Sequence, residues 1–585
     1  MHATGSTGPD LAALCAALCA ALDRAAPRLR AEIADLTSVW MEPTLRQLDA
    51  ARPDRYPKSF SDPIWGVIEL MPWEVVLLDS PMLQRLRGVR QLGLSHLVYP
   101  GALHDRLEHT RGVVEAAERM MRALERNAAH HRRFGGEAAL PAISRADRAS
   151  VRLAALLHDA GHGPFSHASE YVLAGLLSED FSQAASVLHS FYNDTSPPAP
   201  GEVLSCLLIL SPAVRAVLDH PRFAPLAEAA DPAEAQGAAL IPRVLARILG
   251  SGRCVDAPCV AGLISGPIDA DKLDYMSRDS HHAGLPLGHD LSRLISKLEV
   301  IPTPKGGVMG IAQSGVAAYE QMIMARALLY DRIYYHHKVR AAEAMVKRLI
   351  AACEEERGAP LTLRELFSEH PDDAVVCLLG GVYRAEGFTP GGPRARALAD
   401  ALRHREIHCR AFAFSRRTHP EPDRWPALAA ALQAEEGRHR IEAGILEIAR
   451  ALAPLLPGQA ALLPLLDPGA VIADLPPARP VAKPARPLTR TEDGLIGTPN
   501  LFFDPARWSA AWEEQKLSGF VFAPRPLLPL IAAAAAIVFA REFGLPRSDA
   551  ALHLAKTRDL VPPEWFDTAV DHRLCTREIA RMLQP

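Results

Sequence analysis

Apolar residues recur at intervals of three and four through most of residues 56–356, and this helical periodicity constrains the fold more than any other feature of the chain. The pattern is clear in Val151–Leu157 and in Ala317–Leu329. In the C-terminal third, two short runs, Cys409–Phe414 and Ala470–Ala473, have the composition of strands. We therefore predict a mainly α fold, with a helical core and a smaller α+β C-terminal lobe.

The chain has 585 residues, which is too many for one hydrophobic core, so more than one lobe is expected. We predict three regions. Residues 1–54 form an Ala/Leu-rich helical extension, residues 55–356 form the helical core, and residues 357–585 form the C-terminal region. A stretch rich in Pro, Arg and Lys near residues 475–490 is typical of an extended linker.

The composition restricts the classes of protein that the chain can belong to. It is 49% hydrophobic and 23% charged with a net charge of -4, which is typical of a folded protein and argues against a generally basic nucleic-acid binder. The nine cysteines are scattered, so we expect no disulfide framework and a cytoplasmic location. The apolar stretch Leu527–Ala540 contains Pro529 and is shorter than the roughly 20 residues that cross a bilayer, so we predict no membrane span.

Imidazole and carboxylate groups are concentrated in three short segments, Gly101–Thr110, Leu157–His167 and Ile268–Tyr275. A single His or Asp on a helix usually has a structural or solvated role. Three such segments in one helical lobe favour a shared site. Because buried charges need partners, and because mixed imidazole and carboxylate ligands suit Fe, Mn, Zn, Ni or Co, the pattern indicates a metal centre.

His158 and Asp159 follow a buried apolar run and precede Gly161, so they are expected at the inner end of a helix. His162 lies one helical turn beyond His158, and His167 follows a Gly-Pro bend, so both can face the same pocket without binding the metal. Their imidazoles suit acid/base work near neutral pH, and the alternative is that they are hydrogen-bonded supporting groups.

Three cationic or phenolic side chains have spacings that suit phosphate binding. Lys272 and Tyr275 are one helical turn apart, and Arg106 stands three residues before His109. Lys and Arg are natural phosphate ligands, although each alone is more often a surface charge.

His109, the pair His158 and Asp159, and Asp271 together resemble the H…HD…D metal signature of the HD-domain phosphohydrolases. That superfamily also includes nucleases, cyclic-dinucleotide phosphodiesterases and alarmone hydrolases. The signature therefore implies metal-dependent hydrolysis of a phosphoester without defining the substrate.

The flanking motifs are more specific, because in their order they resemble the SAM-and-HD-domain dNTP triphosphohydrolases and their bacterial dGTPase-like relatives. The likeness extends over roughly residues 58 to 340. The motifs that carry it are Asp62–Leu70, Gln84–Gly93, Tyr99–Ala102, His162–His167 and Asp269–Asp279.

The resemblance implies hydrolysis of dNTPs to deoxynucleoside and inorganic triphosphate. It implies one divalent metal ion (Mn, Fe, Zn, Co, Ni or Mg), with the ligands His109, His158, Asp159 and Asp271. It implies catalytic roles for His162 and His167, and for Glu170, which stands where the family usually has Asp. The implied substrate contacts are Gln91, Arg106, Lys272, Tyr275, Asp279 and Tyr335.

The same resemblance implies a homo-oligomer and an activating guanine nucleotide. The positions that match its binding site are Lys58, Asp79, Arg85 and Arg87. An alternative interpretation is that Arg85 and Arg87 form a solvated, ion-paired face.

One further element of the family departs from its usual pattern. A Thr-His-Glu element, whose His joins the catalytic relay, aligns near Pro200-Gly201-Glu202 and leaves no His there. His189 lies upstream and is a candidate substitute. The departure keeps two alternatives open: a nuclease or an alarmone or cyclic-dinucleotide phosphodiesterase on the same scaffold, or a nucleotide-sensing protein with little turnover.

Overall fold

The structure is a computed structural model. It describes residues 10–50, 56–133, 142–175, 177–192, 197–223, 237–304, 306–367, 369–419, 425–477, 487–490, 495–502, 504–545 and 548–561. The chain divides into two compact units. The first contains residues 1–326, 360–372 and 483–502, and the second contains residues 327–359, 373–482 and 503–585. Most of the predicted Pro-rich linker, residues 478–486, lies outside the described residues.

Helices dominate the described residues, which confirms the predicted fold class. Up to residue 220 they are α1 Leu11–Ala25, α2 Pro27–Ala50, α3 Pro72–Leu78, α4 Pro81–Gln84, α5 Arg106–Arg133, α6 Arg145–Leu157, α7 Glu170–Gly175, α8 Ser178–Tyr192, α9 Pro200–Ile209 and α10 Pro212–Leu218. Next come α11 Gly237–Ile248, α12 Ala270–His282, α13 Leu291–Ser296, α14 Val316–Leu329, α15 His337–Arg357, α16 Leu363–Leu366 and α17 Asp372–Leu379. The last are α18 Pro393–Arg403, α19 Trp425–Gln433, α20 Glu435–Leu452, α21 Pro505–Lys516, α22 Leu528–Phe543 and α23 Asp549–Ala555.

The strands form three small sheets. They are β1 Lys58–Asp62, β2 Gly66–Leu70, β3 Leu298–Thr303, β4 Gly306–Ala312, β5 Cys409–Ser415, β6 Ile472–Asp474, β7 Leu488–Arg490, β8 Ile496–Gly497 and β9 Ser518–Ala523. The first unit contains the antiparallel hairpin β1-β2 and a sheet of order β3-β4-β7-β8, in which β4 and β7 are parallel. The second unit contains the antiparallel sheet β5-β9-β6.

The N-terminal extension is part of the first unit rather than a separate region. α1 packs against α8 and α11, and α2 packs against α9 and α10. The reason is the apolar stripe of these two helices, which buries Leu18, Leu22, Ile33 and Trp40. The centre of the unit is α5, which lies against α6 and α12.

The second unit has its own hydrophobic core around α20, α22 and β5. The strand predicted at residues 409–414 is observed, and the one predicted at 470–473 is displaced slightly towards Asp474. β9 was not predicted, because its short apolar run, SGFVFA, directly precedes an apolar helix and has no strand-specific alternation. β1 to β4, β7 and β8 were also missed, since each is short or contains Gly or Pro.

Among the described residues, one helix is long and apolar enough to cross a membrane. The number rises to two if the bent pair of helices α9 and α10 is counted as a single span. The first is Arg525–Phe543, whose 19 residues exceed the apolar stretch that the sequence suggested. Its apolar window is 61% buried inside the protein, and buried core helices meet the same criterion.

Candidate metal centre and active site

Three helix ends position the residues of the H…HD…D signature. α5 begins at Arg106 and presents His109 in its first turn, whereas α6 ends at Leu157 and has His158 as its C-terminal cap. α12 begins after Asp269, whose carboxylate caps it by accepting the Lys272 N–H, and Asp271 lies in its first turn. The buried apolar residues of α5 and α6 pack these two helices together, and this packing fixes the positions of their ends.

The four predicted ligands meet at these helix ends. The distance from His109 Nε2 is 3.2 Å to Asp271 Oδ1 and 3.7 Å to Asp159 Oδ2, and His158 Nε2 is 3.4 Å from Asp159 Oδ1. Ligand atoms bound at about 2.1 Å to one ion lie about 3.0 to 3.4 Å apart. The Nε2 atoms of both histidines are buried without a hydrogen-bond partner among the described residues, as expected of atoms that face a cation.

Supporting hydrogen bonds fix which nitrogen of each histidine faces the centre. Asp274 Oδ2 lies 2.7 Å from His109 Nδ1, and its other oxygen accepts a hydrogen bond from Trp65 Nε1 at 2.6 Å. His158 Nδ1 lies 2.8 Å from the carbonyl of Ala155. Since Nδ1 donates in both rings, each Nε2 is left to bind a metal ion.

The electrostatics of the centre also suit a cation. Burial alone would raise the pKa of Asp159, but Arg106, His158 and His162 hold it well below its ordinary value. Burial would lower the pKa of His109, yet the nearby carboxylates of Asp271 and Asp274 raise it to about 10. The carboxylates therefore remain ionised and create a strongly negative environment.

Arg106 contacts both the candidate metal centre and the neighbouring turn at residues 162–167, called here the histidine turn. Its Nη1 donates to Asp159 Oδ2 at 2.6 Å, and its Nε donates to Ser166 Oγ at 2.9 Å. The backbone of Phe165 and Ser166 is left-handed, with φ of 60° and 52°, which is strained for residues other than glycine. Arg106, the predicted phosphate contact, thus lies beside the centre and is hydrogen-bonded to a turn of unusual conformation.

His162, His167 and Glu170 form a second cluster next to the first. His162 Nε2 is 3.3 Å from Asp159 Oδ1, and His167 Nδ1 is 2.9 Å from Glu170 Oε1. Burial and Arg106 lower the pKa of His162, whereas the His167 side chain is 66% exposed. Glu170 retains contact with both rings, although it replaces the family's Asp, because its carboxylate is also 3.4 Å from His162 Nδ1.

The structure gives a spatial reason for the missing relay histidine. A Cβ atom on Gly201 would lie 2.9 Å from Cε1 of His162, so the His162 ring fills the space that a side chain would need. His189 lies on α8, and no hydrogen bond or ion pair joins it to either cluster among the residues that the structure describes. The structure therefore offers no contact that supports His189 as a substitute.

His104 brings together two predicted substrate contacts, Gln91 and Asp279, and sequence reasoning missed it. Its backbone carbonyl accepts the Gln91 N–H at 3.0 Å, and its ring Nε2 is 2.9 Å from Asp279 Oδ1. His104 and Asp279 are both buried. The signal in the sequence was its place two residues before Arg106, within the first cluster.

The other predicted substrate contacts differ in their surroundings. Lys272 is buried, and its ammonium group contacts Asp269 and the carbonyl of Gly266. Tyr275 is half-buried on the same helix. Tyr335 belongs to the second unit, where its hydroxyl donates to the carbonyl of Pro477 at 2.7 Å. Lys272 and Tyr335 thus already have internal hydrogen-bond partners.

The predicted activator residues fall into two groups. Lys58 Nζ and Asp79 Oδ2 form a half-exposed ion pair at 3.7 Å, and Arg87 is exposed. Arg85 is different: it is buried, and its guanidinium lies 5.3 Å from the ring of Trp40. The guanidinium of Arg85 is enclosed and hydrogen-bonded to backbone carbonyls. Arg85 therefore fits neither the predicted nucleotide contact nor the alternative of a solvated face.

The helical fold with its His and Asp centre is that of an HD domain, the domain that defines the HD phosphohydrolases. Residues 106–241 match the family described as HD domain, and residues 289–426 match the HD associated region.

Several known proteins are similar to part of the chain. The uncharacterized protein YwfO of Bacillus subtilis (strain 168) is 30% identical over 297 residues, which are 50% of this chain and 55% of YwfO. The deoxynucleoside triphosphate triphosphohydrolase SAMHD1 of Gallus gallus is 30% identical over 294 residues, which are 49% of this chain and 44% of that enzyme. The chain thus spans about half the length of the curated relatives it matches.

A solved structure supports the fold. The phosphohydrolase of Bacteroides thetaiotaomicron VPI-5482 superposes with a TM-score of 0.52 at 18% sequence identity and covers 80% of this chain and 100% of its own. At this identity the likeness defines the fold alone.

Proposed function

We propose that the chain is a metal-dependent hydrolase that converts dNTPs into deoxynucleoside and inorganic triphosphate. The observation that carries the proposal is the position of Arg106, which contacts the metal ligand Asp159 and Ser166 of the histidine turn. A candidate phosphate-binding cation, a candidate metal centre and candidate acid/base groups therefore lie side by side. The motif order and the named activity of the SAMHD1 relatives support this substrate class.

In this proposal His109, His158, Asp159 and Asp271 would hold one divalent ion, which would supply Lewis acidity for attack on the phosphate. Arg106 stabilises the negative charge of the phosphates. Water adds to the α-phosphorus, the bond to the 5′ oxygen breaks, and that oxygen takes a proton.

His167 is our candidate for the general acid that gives this proton. Its Nδ1 lies 2.9 Å from Glu170 Oε1, which leaves Nε2 to transfer the proton, and the side chain is 66% exposed. Gln91 and Asp279, which are joined through His104, are proposed to bind the 3′-hydroxyl of the sugar.

The proposal is tested by incubating the full chain with Mn, Mg, Fe or Co and each dNTP, and by separating the products on an ion-exchange column. Deoxynucleoside and intact triphosphate are expected, with the His158→Ala variant as the blank. His167→Ala should abolish turnover and leave the ion held by His109, His158, Asp159 and Asp271 in place. The absence of product from every dNTP would overturn the substrate class, and near-normal turnover by His167→Ala would overturn the role of that residue.

We further propose that a guanine nucleotide binds near Lys58, Asp79 and Arg87 and activates a homo-oligomer. The exposure of these three side chains supports the proposal. Turnover should rise when GTP is added to the wild type and stay unchanged in Arg87→Ala. An equal response of both proteins would contradict it.

A second candidate function is hydrolysis of a different phosphoester, such as a nucleic acid, an alarmone or a cyclic dinucleotide. Gly201 favours this candidate, because it removes the relay histidine that the dNTP triphosphohydrolases use. Digestion of single-stranded DNA or RNA faster than any dNTP would support it.

A further inference from the structure

The cluster of His162, His167 and Glu170 has the composition of a metal site in its own right. Each residue offers one ligand atom, and these atoms lie within 4.8 Å of one another. Glu170 Oε1 is 2.9 Å from His167 Nδ1 and 3.4 Å from His162 Nδ1. We propose that these three residues bind a second divalent transition-metal ion beside the first.

The two distances from Glu170 fit one shared ion. Ligands bound at about 2.1 Å lie about 3.0 Å apart around an octahedral ion and about 3.4 Å apart around a tetrahedral one. The separations from Glu170 to the two imidazole nitrogens fall at or near these values. A hydrogen bond explains the shorter contact, but it leaves the longer one unexplained.

The environment of His162 distinguishes the cluster from an ordinary His–Glu pair. The residue is 8% exposed, and its Nδ1 is buried without a hydrogen-bond partner among the described residues. An unpartnered nitrogen in such a place is costly. An ion shared with His167 and Glu170 would satisfy Nδ1, while Nε2 continues to face Asp159.

The donor set defines the kind of ion. Two imidazoles and one carboxylate are the protein ligands of many catalytic zinc and non-haem iron sites, and they leave positions open for water. Calcium prefers oxygen ligands alone. Zn, Co, Ni, Mn and Fe are therefore the suitable ions, and the exposed ring of His167 gives them access from solvent.

The charges around the two sites predict unequal affinities. Asp159, Asp271 and Glu170 supply three negative charges, and Arg106 opposes them with one positive charge at 2.6 Å from Asp159. Asp159 Oδ1 also faces rings of both clusters, at 3.4 Å from His158 Nε2 and 3.3 Å from His162 Nε2. An ion in the first centre therefore reduces the attraction for the second, which binds more weakly.

Occupation of this second site has a consequence for catalysis, and that consequence rests on the proposed function. An imidazole that holds an ion through Nδ1 cannot be the cationic acid that we assign to His167. Turnover should therefore fall at ion concentrations that fill the second site. The binding itself does not depend on the substrate.

The test is a titration of the chelator-treated full chain with Co(II), followed by calorimetry and by the visible absorption of the bound ion. We expect two ions per chain in the wild type, one in His167→Ala and one in Glu170→Gln, with the second affinity reduced at least about 100-fold. His109→Ala should lose the first ion and retain the second. His370→Ala, which removes an exposed histidine outside the cluster, should still bind two.

His167 is exposed and Gln has nearly the volume of Glu, so both variants should fold normally, which circular dichroism will verify. One ion in the wild type, or a second ion that persists in either variant, would overturn the proposal. Because ions are counted without substrate, failure of this proposal is distinguishable from failure of the dNTPase proposal.

Discussion

Arg85 Nη1 donates a hydrogen bond to the backbone carbonyl of His162 at 2.7 Å, and its Nη2 donates to the carbonyl of Ala160. Its guanidinium also lies 4.5 Å from the ring of Phe367. Burial lowers the pKa of Arg85 to about 9, so the side chain is still charged at neutral pH. The buried guanidinium of Arg85 thus holds the turn that connects His158 to His162.

Replacing Arg85 by Gln should destabilise the chain by about 2 to 4 kcal/mol, because carbonyls that accept from a charged donor are left unpaired in the interior. The metal affinity should fall about 10-fold to 100-fold, because the turn moves. Urea unfolding and metal titration measure both effects. Arg87→Gln is the matched control, and equal behaviour of the two variants would refute the role of Arg85.

Trp40 of α2 tests whether the N-terminal helices are structurally required. Trp40 is buried and meets Phe367 edge-on with ring centroids 6.2 Å apart. Trp40→Ala should cost about 3 to 5 kcal/mol of stability through the cavity it leaves. Its neighbour Val39 is 54% exposed, so Val39→Ala should change stability by less than about 0.5 kcal/mol. Similar unfolding curves for the two variants would contradict this prediction.

Glu118 gives a prediction for the pH dependence of stability. Burial opposes its ionisation, but Arg148, Arg152 and Arg122 lower its pKa below the ordinary value of 4.5. A lowered pKa contributes stability that is present above pH 4.5 and is lost as the pH falls through the folded-state pKa. Glu118→Gln should therefore be less stable than wild type at pH 7, and the difference should shrink below about pH 4.5. Urea unfolding at several pH values measures it, and a constant difference would disprove the assignment.

Gly201 is predicted to be required for the position of His162. Gly201→Ala would place a Cβ atom 2.9 Å from the His162 ring, and the overpacking should cost about 1 to 3 kcal/mol and lower turnover. In Gly175→Ala, the control, the added Cβ atom meets nothing within 4 Å. If Gly201→Ala has the stability and turnover of the control, the contact is not limiting.

The sequence by itself determined the helical fold class and the residues of the candidate metal centre. Helical periodicity follows from burial of one face of each helix, so it is visible in single segments such as Val151–Leu157. His109, His158 and Asp271 could be found because short motifs keep their spacing on helix ends. Short strands such as Ser518–Ala523 could not be found from the sequence, because their pairing depends on partner strands far along the chain.

Only the tertiary structure decided the roles of Arg85, His104 and Gly201. Each role depends on a contact between segments distant in sequence, such as that of His104 with Asp279 or that of Gly201 with the ring of His162. Nothing local distinguishes a buried arginine that binds carbonyls from a solvated one. Burial and hydrogen-bond partners are set by tertiary packing. The periodicity of a sequence predicts which face of a helix is buried, but it does not predict which residues that face contacts.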